Sequence, residues 1–118
     1  WDYWSMFPVY LQIEQGNLCF KISTDPDELE MPENETRSQI RNKIYRLILK
    51  NAKEQDYVEI KRPNRFGHGK YMTVAIIKQQ DWLGKKDEKI NAVQIAEKLN
   101  EYKKFLKHTV EKTAYNNV

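Results

Sequence analysis

The 118-residue, 14.2 kDa chain has material for one core and none for a second. Its single cysteine, Cys19, excludes an internal disulfide and any cysteine-rich zinc module. A net charge of +3, a mean hydropathy of −0.84 and the lack of any apolar run near ~20 residues exclude a spanning helix, so no membrane partner is expected.

Trp1, Tyr3, Trp4 and Phe7 open the chain as an aromatic cluster. It reads either as an edge strand on a sheet or as a contact surface, for an upstream domain or for a homodimer through Trp1–Phe7. The chain begins at Trp1, without a charged leader or small-residue cleavage site. The expectation is a segment of a longer protein, cut at a domain boundary.

Val9, Leu11 and Ile13 alternate with polar residues, as do Leu18, Phe20 and Ile22. A period of two marks half-buried strands, and Gln15-Gly16-Asn17 between them can take positive φ. The two runs predict a hairpin. Residues 25–35 follow with six acids, no base and no apolar period, which reads as a solvated internal linker.

Ile40, Ile44, Leu47, Ile48 and Ala52 recur at helical spacing, and Thr36 with Gln39 fits a capping box. A helix from about Arg37 to about Glu54 is predicted. Val58 and Ile60 alternate within 57–62, and Met72, Val74 and Ile76 within 71–77, predicting two more strands. A long loop, 63–70, lies between them. Asp81-Trp82-Leu83-Gly84 reads as a short turn. Ala92, Ile95, Ala96, Leu99, Tyr102, Leu106 and Val110 mark a long final helix. The expected fold is a single α+β domain over 1–118. It would be a four-stranded antiparallel sheet with two helices on one face, in the order ββαββα.

Charge is unevenly spread. The −6 block at 25–35 precedes a block of +7 at 36–70, where ten bases face three acids.

The strings FPVYLQIEQGNLCFKI (7–22) and RFGHGKYMTVAII (65–77), with RSQIRNKIY (37–45) and Asp81-Trp82-Leu83, resemble the C-terminal region of bacterial PD-(D/E)XK nuclease-like proteins. The resemblance covers nearly the whole chain. It implies a bacterial setting in DNA defence, repair or mobile elements, with a nuclease-like core upstream. It supplies no catalytic motif for this segment.

The family name directs attention to Pro26-Asp27 and, 32 residues after Asp27, to Glu59-Ile60-Lys61. In a divergent nuclease Asp27 and Glu59 would hold Mg²⁺, and Lys61 would polarise phosphate or water. That requires Glu59 and Lys61 on one strand face. A whole helix separates the two acids in sequence, and Glu-x-Lys also arises from plain alternation, so the favoured reading of all three is structural.

The loop Arg62, Asn64, Arg65, Phe66, Gly67, His68, Gly69, Lys70 is the most site-like segment. Its cations match phosphate, its glycines permit close approach, and Phe66 or His68 suits stacking on an unpaired base. Arg37, Arg41, Arg46 and Lys50 on the first helix would track a phosphate backbone. The competing readings are a hairpin loop with Phe66 in the core, and a solvated or self-docked helix face. Cys19 reads as an inert thiol, and His68 and His108 lack partners at metal spacing.

The sequence reads as a cytoplasmic, non-catalytic accessory domain that binds a DNA or RNA backbone, without sequence preference, or binds its own upstream domain. The alternatives are the Mg²⁺-dependent nuclease of Asp27, Glu59 and Lys61, and a protein-interaction domain. No metal or cofactor is expected outside the nuclease alternative.

Overall fold

A computed structural model describes residues 2–4, 7–24, 36–66, 70–83 and 91–112. The acidic block 25–35, with Asp27, and the positions of Trp1, Gly67, His68 and Gly69 lie outside the described residues.

Alternation does produce strands at 7–14, 17–23 and 71–77. With a short N-terminal strand they form β1 (Asp2–Trp4), β2 (Phe7–Glu14), β3 (Asn17–Ser23) and β4 (Tyr71–Ile77). They make one antiparallel sheet in the order β1-β2-β3-β4, so every strand beside another in sequence is also beside it in space. The β2–β3 turn places Gln15 at φ 52° and Gly16 at φ 83°. Two successive left-handed residues match the twist of a tight hairpin. Between Phe20, paired with Ala75, and Lys21, paired with Thr73, the register skips Val74, so β4 carries a bulge there.

Helix α1 (Arg37–Glu54) starts at a complete capping box: Gln39 N–H donates to Thr36 Oγ1 at 3.2 Å, and Thr36 N–H donates to Gln39 Oε1 at 2.7 Å. It ends in a Schellman turn. Asp56 sits at φ 61°, Tyr57 N–H reaches back to Ala52 O at 2.8 Å, and Asp56 N–H points to Lys53 O at 3.4 Å. Helices α2 (Gln79–Trp82) and α3 (Ala92–Lys112) complete the fold.

Helix α1 packs on β4, α3 packs on β1 and β2, and the two helices touch each other. Between them and the sheet lies one core, including Phe7, Val9, Phe20, Ile22, Ile44, Ile48, Met72, Val74, Ile77 and Leu106. Phe105 of α3 meets Phe20 edge to face at 6.0 Å. The α+β class, the antiparallel sheet and most of the expected core therefore stand.

Two expected features differ. The segment 57–62 is not a strand. Tyr57 is used to close α1, residues 58–59 turn, and Ile60 N–H donates back to Tyr57 O at 3.2 Å. Only Lys61 reaches the sheet, through a single bridge to Ile76 on the free edge of β4. Val58 is consequently 80% exposed rather than core. The fourth strand is Asp2–Trp4 instead. Ile13, at the far end of β2, is 51% exposed and Leu11 is only half-buried. Among the described residues no helix is long and apolar enough to cross a membrane.

Candidate nucleic-acid interface

Phe66 ties the loop before β4 to helix α1. The Arg41 guanidinium lies 4.5 Å from its ring centroid, the Arg62 guanidinium 4.8 Å, and Tyr45 meets it edge-on at 5.2 Å. Arg41 and Tyr45 are one turn apart on α1, so both reach the same ring. Two segments that are separate in sequence thus present two cations together, Arg41 from the helix and Arg62 from the loop, with Arg37 one turn before Arg41 on α1.

Phe66 is half-buried in this arrangement, with its ring already in contact with two guanidinium groups and a phenol. Arg46 and Lys50 are not part of the cluster. At 100° per residue Arg46 lies about 140° around α1 from Arg41, and both Arg46 and Lys50 are exposed on the helix's outer side. Lys70 immediately precedes β4, where its carbonyl accepts from Thr24 N–H at 2.6 Å.

The catalytic alternative loses its geometric premise at Glu59. That residue lies in the 58–59 turn, so it does not share a strand face with Lys61. Among the described residues no group of three or more His, Cys, Asp or Glu is placed to hold a metal ion.

The sheet face opposite the helices was not singled out from sequence. On β2 and β3 its signal was the other half of each alternation, and on β4 the bulge at Val74 turns Ile76, expected on one face with Met72 and Val74, to this side instead. Register places Tyr3, Pro8, Tyr10, Gln12 and Glu14 there from β1 and β2. Cys19, Lys21, Tyr71, Thr73 and Ile76 join them from β3 and β4. Lys61, bridged to Ile76, points to the same side. One end of this face forms an open cleft of about 500 Å³, lined by Glu14, Cys19, Pro63, Asn64, Arg65 and Thr73 among others.

The charge on this face is partly cancelled. Lys21 Nζ lies 2.6 Å from Glu14 Oε1, leaving Lys61 and Arg65 without an acidic partner among the described residues. Cys19 is buried beside that pair, and its thiol lies 3.9 Å from Glu14 Oε2. Burial first, then the Glu14 charge, pushes the thiol up to about 11, which keeps it protonated and unreactive.

No protein-family model, curated protein or solved structure matches the chain.

Proposed function

We propose that this chain is a non-catalytic module that binds nucleic acid through its phosphate backbone, in line with the nuclease-like setting that the sequence resemblance implies. The carrying observation is the convergence of Arg41 and Arg62 on Phe66, which fuses a helix and a loop into one cationic ridge; Arg37 is one turn before Arg41 on α1, and Arg65 directly precedes Phe66 in the loop. Guanidinium groups held on a ring are fixed in orientation; Arg41 directs Nε and Nη2 to Asn42 Oδ1, both at 3.4 Å, which leaves its Nη1 donors for phosphate.

Such contacts carry no base code, so binding is expected to tolerate any sequence. The test is fluorescence anisotropy with labelled single- and double-stranded oligonucleotides across a salt series. Affinity should fall with salt at a log–log slope of about 0.7–0.9 per phosphate contact. Replacing Arg37, Arg62 and Arg65 together by alanine should weaken binding equally for all sequences and flatten the slope. A folded sample that binds no probe at low salt removes this reading and leaves the interaction-module alternative in front.

A further inference from the structure

The open face of the sheet carries three tyrosines at one end. Tyr3 on β1 is paired with Pro8 on β2, and Tyr71 on β4 is paired with Ser23 on β3. Pro8 directly precedes Val9, the partner of Ile22, so Pro8 lies level with Ser23. Tyr3 and Tyr71 therefore end one transverse row, three strands and about 14 Å apart. Tyr10 stands in the next row, across from Lys21, which is in turn across from Thr73. Tyr3 is 61% exposed and Tyr71 48% exposed. Both belong to a small set of large side chains that a folded chain would ordinarily cover.

The surroundings identify what would cover them. Among the described residues the remaining uncompensated charge of the face is positive, from Lys61 and Arg65, and Arg62, part of the cationic ridge, directly follows Lys61 at the β4 edge. Lys61 is bridged to Ile76, five residues along β4 from Tyr71, so the phenol rings stand at one end of the face and the cations about 15 Å away at the other. That spacing matches a single strand laid along the sheet, with bases on the rings and phosphates a few nucleotides on at the cations. A duplex keeps its bases stacked inside and has no use for such rings. An apolar protein partner would not be matched by the cations. Phe66, already packed by Arg41, Arg62 and Tyr45, leaves the stacking role to the sheet.

We infer that the open sheet face binds single-stranded nucleic acid, with Tyr3, Tyr10 and Tyr71 stacking on unpaired bases and Lys61 and Arg65 holding the backbone. This rests on the backbone-binding reading above and deepens it, by naming the strandedness of the ligand and the aromatic residues that read it.

The experiment compares a labelled 12-nucleotide oligothymidylate, a 12-nucleotide oligouridylate and a 12-base-pair duplex of mixed sequence by anisotropy. The variants Tyr3→Ala, Tyr10→Ala and Tyr71→Ala are measured in parallel, each paired with its Tyr→Phe counterpart. Single strands should bind at least tenfold tighter than the duplex. Each alanine change should weaken single-strand binding by about fivefold or more, with an unchanged salt slope, and phenylalanine should restore it. Because Phe keeps the ring and its packing, a folding defect in an alanine variant does not hide the outcome. Equal affinity for single strand and duplex, with the tyrosine variants inert, overturns this inference and leaves the backbone reading standing. Absence of binding to every probe overturns both. Sedimentation showing self-association that the tyrosine changes abolish assigns the face to a second copy of the chain and overturns the inference as well.

Discussion

The Trp82 indole N–H donates to the Gly16 carbonyl at 2.8 Å, across 66 residues of chain, and so fastens helix α2 to the β2–β3 turn. Gln79 N–H donates to Asn17 Oδ1 at 3.1 Å in the same joint. Trp82 is 1% exposed, so its N–H had to find a partner inside the protein. The only acceptor it uses is a backbone carbonyl freed by a left-handed turn.

That joint gives the first prediction. Gly16 has φ +83°, and a Cβ there would stand 2.6 Å from Gln79 Oε1. The glutamine end is exposed and can swing away, so the strain is mainly backbone. Gly16→Ala should cost about 1–2 kcal/mol. Trp82→Phe leaves the carbonyl unpaired and a void in place of half the indole, and should cost about 2–4 kcal/mol. Urea midpoints with unchanged m-values check both.

A second prediction concerns the helix pair. Asn51 Nδ2 donates to Thr109 Oγ1 at 2.5 Å, Thr109 donates to the Phe105 carbonyl at 2.9 Å, and Gln55 Nε2 donates to Asn51 Oδ1 at 2.8 Å. Asn51 and Thr109 are both buried. Thr109→Val keeps the shape but strands the Asn51 amide, and should cost about 1–3 kcal/mol. Adding Asn51→Leu removes the stranded donor, so the double variant should be more stable than the two single costs added together. Additive losses would show that the bond contributes nothing specific to the packing of α1 on α3.

The legible part of this structure is the part where one signal acts alone. Strand period and a Thr36–Gln39 capping box name β2, β3, β4 and α1 almost to the residue. The misleading stretch is 57–62, where Val58 and Ile60 alternate as a strand would. The backbone there is claimed first by the α1 terminus, since Asp56 turns left-handed and Tyr57 N–H is spent on Ala52 O. Hydrophobic period carries no record of that claim. The Asn51–Thr109 bond is illegible for a related reason: its partners are 58 residues apart, and each alone reads as a polar residue on a helix. The cationic ridge was half visible. The charges were plain, whereas the role of Phe66 in gathering some and leaving Arg46 and Lys50 aside depends on the direction of one ring.

A third prediction uses pH. The Cys19 thiol is held up to about 11 by burial and by the Glu14 charge, above its ordinary value of 9.0. The unfolded chain therefore releases this proton before the folded chain does. Above pH 9 the unfolded state binds fewer protons, so stability falls as pH rises, with the loss continuing to about pH 11. Tyr10, Tyr57 and Tyr102 are also raised, each chiefly by burial, and add to the loss from pH 10 upward. Between pH 9 and 10 the cysteine dominates. Cys19→Ser should flatten the stability–pH curve in that window, as followed by urea unfolding. An aromatic disulfide reagent at pH 8 should label native Cys19 far more slowly than the unfolded chain.

The last prediction separates the position of the cations from their number. Phe66→Ala alters no charge. It removes two cation–π contacts of about 0.5–1 kcal/mol each and one edge-on aromatic pair of about 0.5–1.5 kcal/mol. The ring is only half-buried, so the fold should survive with a loss of about 1–3 kcal/mol. If the ridge acts by holding Arg41 and Arg62 at a fixed spacing, nucleic-acid affinity should drop several-fold, because the freed side chains must be ordered again on binding. The salt slope should stay close to that of the unaltered chain, since the same phosphates are neutralised. Replacing Arg41 and Arg62 by glutamine should instead lower the slope along with the affinity. Identical slopes for Phe66→Ala and the double glutamine variant would mean that neither guanidinium meets phosphate, and that the Arg41–Phe66–Arg62 contact serves only to hold the loop on the helix.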